Sequence, residues 1–221
     1  MKKLCTLILL VVSCHAFAQQ DSLKKYNAER VRITSNGLEY LGGWGLLNLG
    51  TGAYLNWGTG SKTITATIND MYGNPVQVPE RISKLSPELK YFGQMNTVWG
   101  SINFVTALIG YTGTQNDKNK KLTAAQSLAE QERIQKIFKV NMYLDVVYIG
   151  AGAYLKLAGD SRNSPEMKGY GESVLLQGGF LLLFDGLMLH AEKTHGDKLR
   201  NFLEKHPMTF DGKRVGIIFN M

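Results

Sequence analysis

Apolar residues are gathered in four segments, 38–57, 91–112, 137–158 and 169–191, each rich in Leu, Ile, Val, Phe, Gly and Ala. Each is long enough to cross a hydrocarbon core roughly 30 Å thick as a helix of about twenty residues. Trp44, Trp57, Tyr91, Trp99 and Tyr111 include several aromatics near segment ends, where membrane–water interfaces concentrate such rings. A soluble helix carries one apolar stripe opposite a charged face. Here the runs Val146 to Ile149 and Leu181 to Phe184 are apolar on every side. The segments are interrupted by Glu39 and Asn48, by Asn141, Asp145 and Lys156, and by Glu172, Gln177 and Asp185. The pattern predicts an all-α, four-helix transmembrane bundle; an exported periplasmic bundle or lipoprotein without full spans is the alternative.

The connecting stretches are polar. Residues 63–68 (TITATI) alternate as a strand does, Tyr72, Gly73, Asn74 and Pro75 form a turn signal, and Val76, Gln77 and Val78 follow, so a small β-hairpin is predicted in the first loop. Residues 122–135 favour a helix that extends the third segment, and 213–221, after Asp211 and Gly212, read as a short C-terminal strand. The resulting organisation is a signal peptide (1–18), an N-terminal segment (19–37), a first helical hairpin (38–112), a linker helix (113–136), a second hairpin (137–191) and a polar tail (192–221).

Residues 50–57 read GTGAYLNW and residues 150–157 read GAGAYLKL. Segments one and three therefore align, and segments two and four align more weakly, through Gly93 with Gly171 and Gly100 with Gly178. The chain reads as two tandem helical hairpins, with repeats running the same way through a membrane. At 3.6 residues per turn, Asn141, Asp145, Tyr148 and Gly152 share a face within about 60°. Their counterparts in segment one are Leu41, Gly45, Asn48 and Gly52. Asn96, Gly100, Asn103, Ala107 and Gly110 share a face of segment two, and Gly171, Val174, Gly178 and Asp185 one of segment four. In lipid, small residues let backbones approach and buried amides bond across the gap. Gly45, Gly52, Gly100, Gly152 and Gly178 are thus the expected packing positions.

The N-terminus orders a basic start (Lys2, Lys3), an apolar run (4–12) and Ala16, Phe17, Ala18 before Gln19 and Gln20, which is the order of a secretory signal. Val11, Val12, Ser13 and Cys14 also fit a lipoprotein cleavage box. Both cysteines, Cys5 and Cys14, lie in this stretch, so cleavage after Ala18 leaves no cysteine and removes disulfide, thiol and iron–sulfur chemistry from consideration. Losing Lys2 and Lys3 lowers the formal charge from +7 to +5. No clustered basic face with interleaved aromatics marks a nucleic-acid partner. His190, His195 and His206 have no second ligand at helical spacing, and no nucleophile elbow, phosphate loop or metalloprotease motif occurs. Neither an enzyme nor a cofactor is expected.

The polar residues of the stripes form the candidate site: Asn48, Asn96, Asn103, Asn141, Asp145 and Asp185. A carboxylate in hydrocarbon costs about 2.5–3.5 kcal/mol on insertion scales and is a functional hypothesis by default. One reading makes Asp145 and Asp185 a proton or small-ion path; the other makes the whole set internal glue for the bundle. Glu39, Glu172 and His190 sit near segment ends and read as interface anchors.

The runs Leu41, Gly42, Gly43, Trp44 and Tyr91 to Asn96 (YFGQMN), the repeated Gly-Ala-Tyr-Leu, and Leu176, Gln177, Gly178 resemble a family of small, uncharacterised exported membrane proteins of Bacteroidota. The resemblance covers most of the mature chain and implies an architecture without an activity; where the family pattern places a histidine before Gln-Met-Asn, this chain has Gly93. The expectation is a non-enzymatic, multi-pass component of the inner membrane, contacting lipid and, as partners, other envelope proteins or further copies of itself. One feature opposes the expected topology. An exported N-terminus leaves four, five and six Lys and Arg in residues 21–37, 113–136 and 192–221 outside, against four and two in 58–90 and 159–168 inside; the positive-inside rule prefers the reverse.

Overall fold

The computed structural model describes residues 2–205, 208–210 and 215–217. Helix α1 (Lys2–Ala53) passes into a π-helical turn at Tyr54–Gly58. A hairpin of β1 (Ser61–Asn69) and β2 (Pro75–Ser83) follows, then α2 (Pro87–Asp117), α3 (Ala124–Ser161) and α4 (Pro165–Lys205). Strands β3 (Met208–Phe210) and β4 (Val215–Ile217) pair antiparallel, so the expected single terminal strand is one half of a pair. The expected turn at Asp211 and Gly212 lies outside the described residues, as does His206.

Local chemistry sets where the helices begin. Ser86 precedes Pro87 and its hydroxyl accepts from Leu89 N (3.3 Å); Ser164 precedes Pro165 and accepts from Met167 N (3.3 Å). A serine cap followed by proline satisfies one orphan donor and removes another. Thr123 and Gln126 make reciprocal side chain-to-backbone bonds of 2.9 and 3.3 Å, a capping box. The first-loop hairpin is longer than its alternation predicts, with nine residues in each strand. Its turn is held by Asp70, whose carboxylate accepts from Tyr72 N and Asn74 N at 2.8 Å each, and by Gly73, whose φ of +82° suits glycine.

The helices divide into two compact units. The first comprises residues 40–107 and 143–183, and we call it the amide unit; the second comprises 1–39, 108–142 and 184–221, and we call it the charged unit. In the amide unit the helices meet through glycine. A Cβ on Gly45 would lie within 3 Å of Gly100 O and Phe104 N, and one on Gly100 within 3 Å of Gly45 O and Leu49 N. A Cβ on Gly52 would strike Gly93 O and Thr97, and one on Gly152 would strike Gly171 O and Leu175 N. Gly178 packs on Ile149 and on the Asp145 carbonyl. The Gly52–Gly93 contact between α1 and α2 thus has its counterpart in Gly152–Gly171 between α3 and α4, which gives the repeat a structural meaning: each hairpin closes at the same glycine pair.

The charged unit has an apolar core of Ile134, Phe138 and Met188, with Ile33, Phe184 and Leu189 packed on it. Its α1 and α4 parts include residues 19–37 and 192–205, which the sequence reads as a polar segment and a polar tail, whereas Phe184, Met188 and Leu189 of its core belong to the fourth apolar segment.

Among the described residues one helix, α4 over Pro165–Glu204, is long and apolar enough to cross a membrane by length and composition; the core helix of a soluble protein can meet the same description. Four such helices were expected. The other three fall short because Gly, Asn, Thr, Trp and Tyr replace much of the aliphatic content, although residues 40–57 and 91–112 hold no Asp, Glu, Lys or Arg at all.

Candidate functional site

The polar residues of the amide unit converge on Gln177, which is fully buried. Its Nε2 donates to Asn48 Oδ1 (2.7 Å) and to Asn96 Oδ1 (3.0 Å). Its Oε1 accepts from Trp44 Nε1 (2.8 Å) and Asn103 Nδ2 (3.3 Å). Ser173, one turn before Gln177 on α4, donates to Asn96 Oδ1 (3.1 Å), and Asn48 Nδ2 donates to the Trp44 carbonyl (2.7 Å). The hub therefore ties α1, α2 and α4 together. Trp44 is aligned by stacking on Phe180, with ring centroids 3.9 Å apart.

No member of this hub titrates near neutral pH, so its chemistry is hydrogen bonding. Each amide oxygen of Asn48, Asn96 and Gln177 already accepts at least one bond. Among the described residues Asn96 Nδ2 is a buried donor without a partner. Buried amides left unpaired cost about 1–3 kcal/mol each, so the bonds that the other hub groups do make are a strong constraint on how the three helices meet.

The structure places the sequence-derived residues as follows. Asn48, Asn96 and Asn103 are buried and joined through Gln177. Asp145 is buried in the same unit, its carbonyl against Gly178. Asp185 is buried in the charged unit, and Asn141 belongs there too, half-buried. The two aspartates thus fall in different units. Glu172 pairs with Lys156 at 2.5 Å, and His190 is exposed.

A second polar cluster, absent from the sequence reading, occupies the charged unit. Glu192 is fully buried. Its carboxylate accepts from Thr34 Oγ1 (2.8 Å) and Gln131 Nε2 (2.6 Å), and its carbonyl accepts from Gln131 and Gln135 at 2.8 and 3.1 Å. Tyr26 donates to Gln131 Oε1 (2.9 Å). His195, also buried, stacks on the Tyr26 ring with centroids 4.2 Å apart and shares a 3.1 Å contact between its Nε2 and the Tyr26 carbonyl, which makes that nitrogen the donor. Its Nδ1 faces Glu29 at 3.7 Å, and Glu29 is held by Lys198 at 2.9 Å. Arg30 lies buried among these groups, and its Nη1 has no hydrogen-bond partner among the described residues.

Burial pushes the Glu192 carboxyl above the usual range, opposed by its bonds from Thr34 and Gln131 and by the Arg30 charge. Burial lowers His195, opposed by Glu29. Burial likewise raises the Tyr26 phenol. One signal for this cluster was present in the sequence: Tyr26, Arg30 and Thr34, Ser127, Gln131 and Ile134, and Met188, Glu192, His195 and Leu199 each recur every three or four positions on one helical face.

A model for a family of unknown function (DUF6992) matches residues 66–186, more than half of the chain, and the chain belongs to that family. The match takes in the hairpin from Ala66 onward, α2, α3 and most of the amide unit, and leaves out Trp44 and Asn48 of the hub. No curated protein and no solved structure matches the chain.

Proposed function

We propose that this family member is a multi-pass membrane protein of the cell envelope, exported by its N-terminal segment, that acts through contacts with lipid and protein and not by catalysis. The observation that carries the reading is the inverted polarity of the amide unit. Its interior holds Asn48, Asn96, Asn103, Ser173 and Gln177, whereas Leu47, Val98, Val105, Val147, Tyr154 and Leu183 are each more than half exposed. A protein in water does the reverse. The most apolar stretch of α4 is only 33% buried, whereas a soluble core helix is mostly enclosed. Glycine contacts and a matched amide hub are the means by which helices associate when lipid supplies no hydrophobic drive. The spans of this reading are the four apolar segments, 38–57, 91–112, 137–158 and 169–191.

The test is fractionation of cells expressing the full chain. The protein is expected to stay in the membrane pellet through alkaline carbonate and to require detergent for release. Recovery as a dissolved, monodisperse species without detergent overturns the reading. Single cysteines in the 58–90 loop, with Cys5 and Cys14 replaced by serine, then report on which side that loop lies.

A further inference from the structure

The β1–β2 hairpin has two chemically different faces. Paired residues in an antiparallel ladder project to the same side. The register pairs Lys62 with Ile82, Ile64 with Glu80, Ala66 with Val78, and Ile68 with Val76. One face is therefore Ile64, Ala66, Ile68, Val76, Val78 and Ile82, with the charged Lys62 and Glu80 confined to its root half. The opposite face pairs Thr63 with Arg81, Thr65 with Pro79, and Thr67 with Gln77, the last joined side chain to side chain at 2.8 Å. Half of the apolar face is open: Ile64, Ile68 and Val76 are 37%, 52% and 41% exposed, whereas Ala66, Val78 and Ile82 are half-buried, and at the tip Met71 and Tyr72 are 93% and 85% exposed. A lone two-stranded hairpin is marginally stable in water, so an uncovered apolar face on one calls for a partner.

We infer that this face lies on the lipid surface, an inference that rests on the membrane reading above. Three features select lipid. The hairpin is continuous in sequence with charge-free helical stretches, 40–57 before it and 91–112 after it, and it is entered past Tyr54 and Trp57, which are 63% and 75% exposed; exposed aromatics at a segment end belong to the headgroup level. The hairpin root and the residues just beyond it carry four cations, Lys62, Arg81, Lys84 and Lys90, against two anions, Glu80 and Glu88, while Asp70 lies at the tip. That order suits anionic headgroups at the root and apolar contact along the face. Pairing of a second copy along β2 is disfavoured, because Pro75 and Pro79 remove two backbone donors and blunt sheet extension from that edge. The hairpin then acts as an amphipathic paddle, reading the charge and packing of the surface beside the spans.

The full chain, with Cys5 and Cys14 replaced by serine, is reconstituted in vesicles of phosphatidylethanolamine and phosphatidylglycerol. Single cysteines at Ile68, Thr65 and Val147 carry an environment-sensitive fluorophore. The label at Ile68 is expected to be quenched by bromine on the lipid chains and protected from aqueous iodide, and the label at Thr65 to show the opposite. Val147, 63% exposed in the amide unit, is the control for the membrane reading. Iodide quenching at Ile68 with lipid quenching at Val147 overturns the paddle and leaves the membrane reading standing; iodide quenching at both overturns the two together. Protection of Ile68 from both quenchers means that protein covers the face, which also overturns the inference.

Discussion

The two units are drawn from the same four helices, yet they place polarity in opposite ways. The charged unit buries Arg30, Glu192 and His195 and exposes Lys24, Arg32, Glu132, Lys136, Lys193 and Asp197. The amide unit buries the neutral amides Asn48, Asn96, Asn103 and Gln177 with the carboxylate Asp145, and exposes leucine, valine, tyrosine and tryptophan. Charged groups on the outside are solvated cheaply only by water, whereas bare aliphatic surface is free of penalty only in lipid. What lies outside therefore distinguishes the units better than what lies inside, because both interiors join buried polar groups to apolar ones, Ile134, Phe138 and Met188 in the charged unit and Leu41, Val174 and Leu181 in the amide unit. Mean hydropathy along a helix averages inside and outside together and loses this distinction.

The contrast breaks most severely at the glycine contacts. Gly100→Leu puts a side chain into the Leu49 and Gly45 backbone, where neither element can yield without the hairpin opening. A loss of about 3 kcal/mol or more is expected, the upper range for overpacking. Gly50→Leu is the partner test, since a Cβ there meets nothing; its effect is expected within about 0.5 kcal/mol. Thermal denaturation in detergent compares the two, and equal losses would show that the glycines are not contact-specific.

Next in size is Glu192→Leu in the charged unit. It strands Thr34 and Gln131 and removes the acidic neighbour of Arg30. Uncovering one side of a buried charge cluster costs about 3 kcal/mol. Glu192→Gln keeps the bond from Thr34 and is expected to lose less. If both variants melt like the parent, the cluster contributes nothing to holding the unit. A smaller loss, about 2 kcal/mol, is expected for Gln177→Leu in the amide unit, where Asn48, Asn96, Asn103 and Trp44 lose their shared partner. In lipid such bonds average about 0.6 kcal/mol each, so a loss well below that of Glu192→Leu is expected; a loss near zero would argue that water reaches the hub and satisfies the freed amides.

The two units also differ in how far the sequence discloses them. On α2, Asn96, Gly100, Asn103 and Ala107 are buried together, as their 3.6-residue spacing implies. The small-residue stripes of the other helices likewise face inward at Gly52, Gly152, Gly171 and Gly178. In the sequence Gln177 reads as an interruption and not as a hub, because it lies one position to the side of the Gly171–Gly178 stripe and its side chain reaches across. The helical nature of 19–37 and 192–205 is hidden in the sequence for a different reason. Charged residues default to solvent in a sequence reading, so Tyr26, Arg30 and Thr34 looked like a polar segment even at helical spacing. The cap signals Ser86–Pro87, Thr123 with Gln126, and Ser164–Pro165 were present throughout and mark three of the four helix starts.

The smallest and most selective prediction concerns pH. His195 has a folded-state pKa below its unfolded value of about 6.5, so between the two values the unfolded chain binds more protons. Its contribution to stability is therefore complete above about pH 6.5 and is lost as pH falls through the lowered folded value. Glu192 has the opposite sign. Its pKa is raised, so its contribution is complete below the unfolded carboxyl value and declines as pH rises through the raised one. Through His195 the charged unit should weaken on acidification below about pH 6.5, a change that protonation of Glu192 opposes, and His195→Phe, which keeps a ring against Tyr26, should remove the weakening part of the slope. The Gln177 hub holds no group that titrates there. Hydrogen exchange followed at pH 7 and pH 5.5 resolves the units in one experiment: faster exchange is expected in the α1 and α4 stretches around Tyr26 and His195, with the amides around Asn48 and Gln177 unchanged once intrinsic rates are corrected. Equal acceleration in both regions, or an unaltered slope in His195→Phe, would separate the histidine from the stability of its unit and leave burial of its ring, not its charge state, as what matters there.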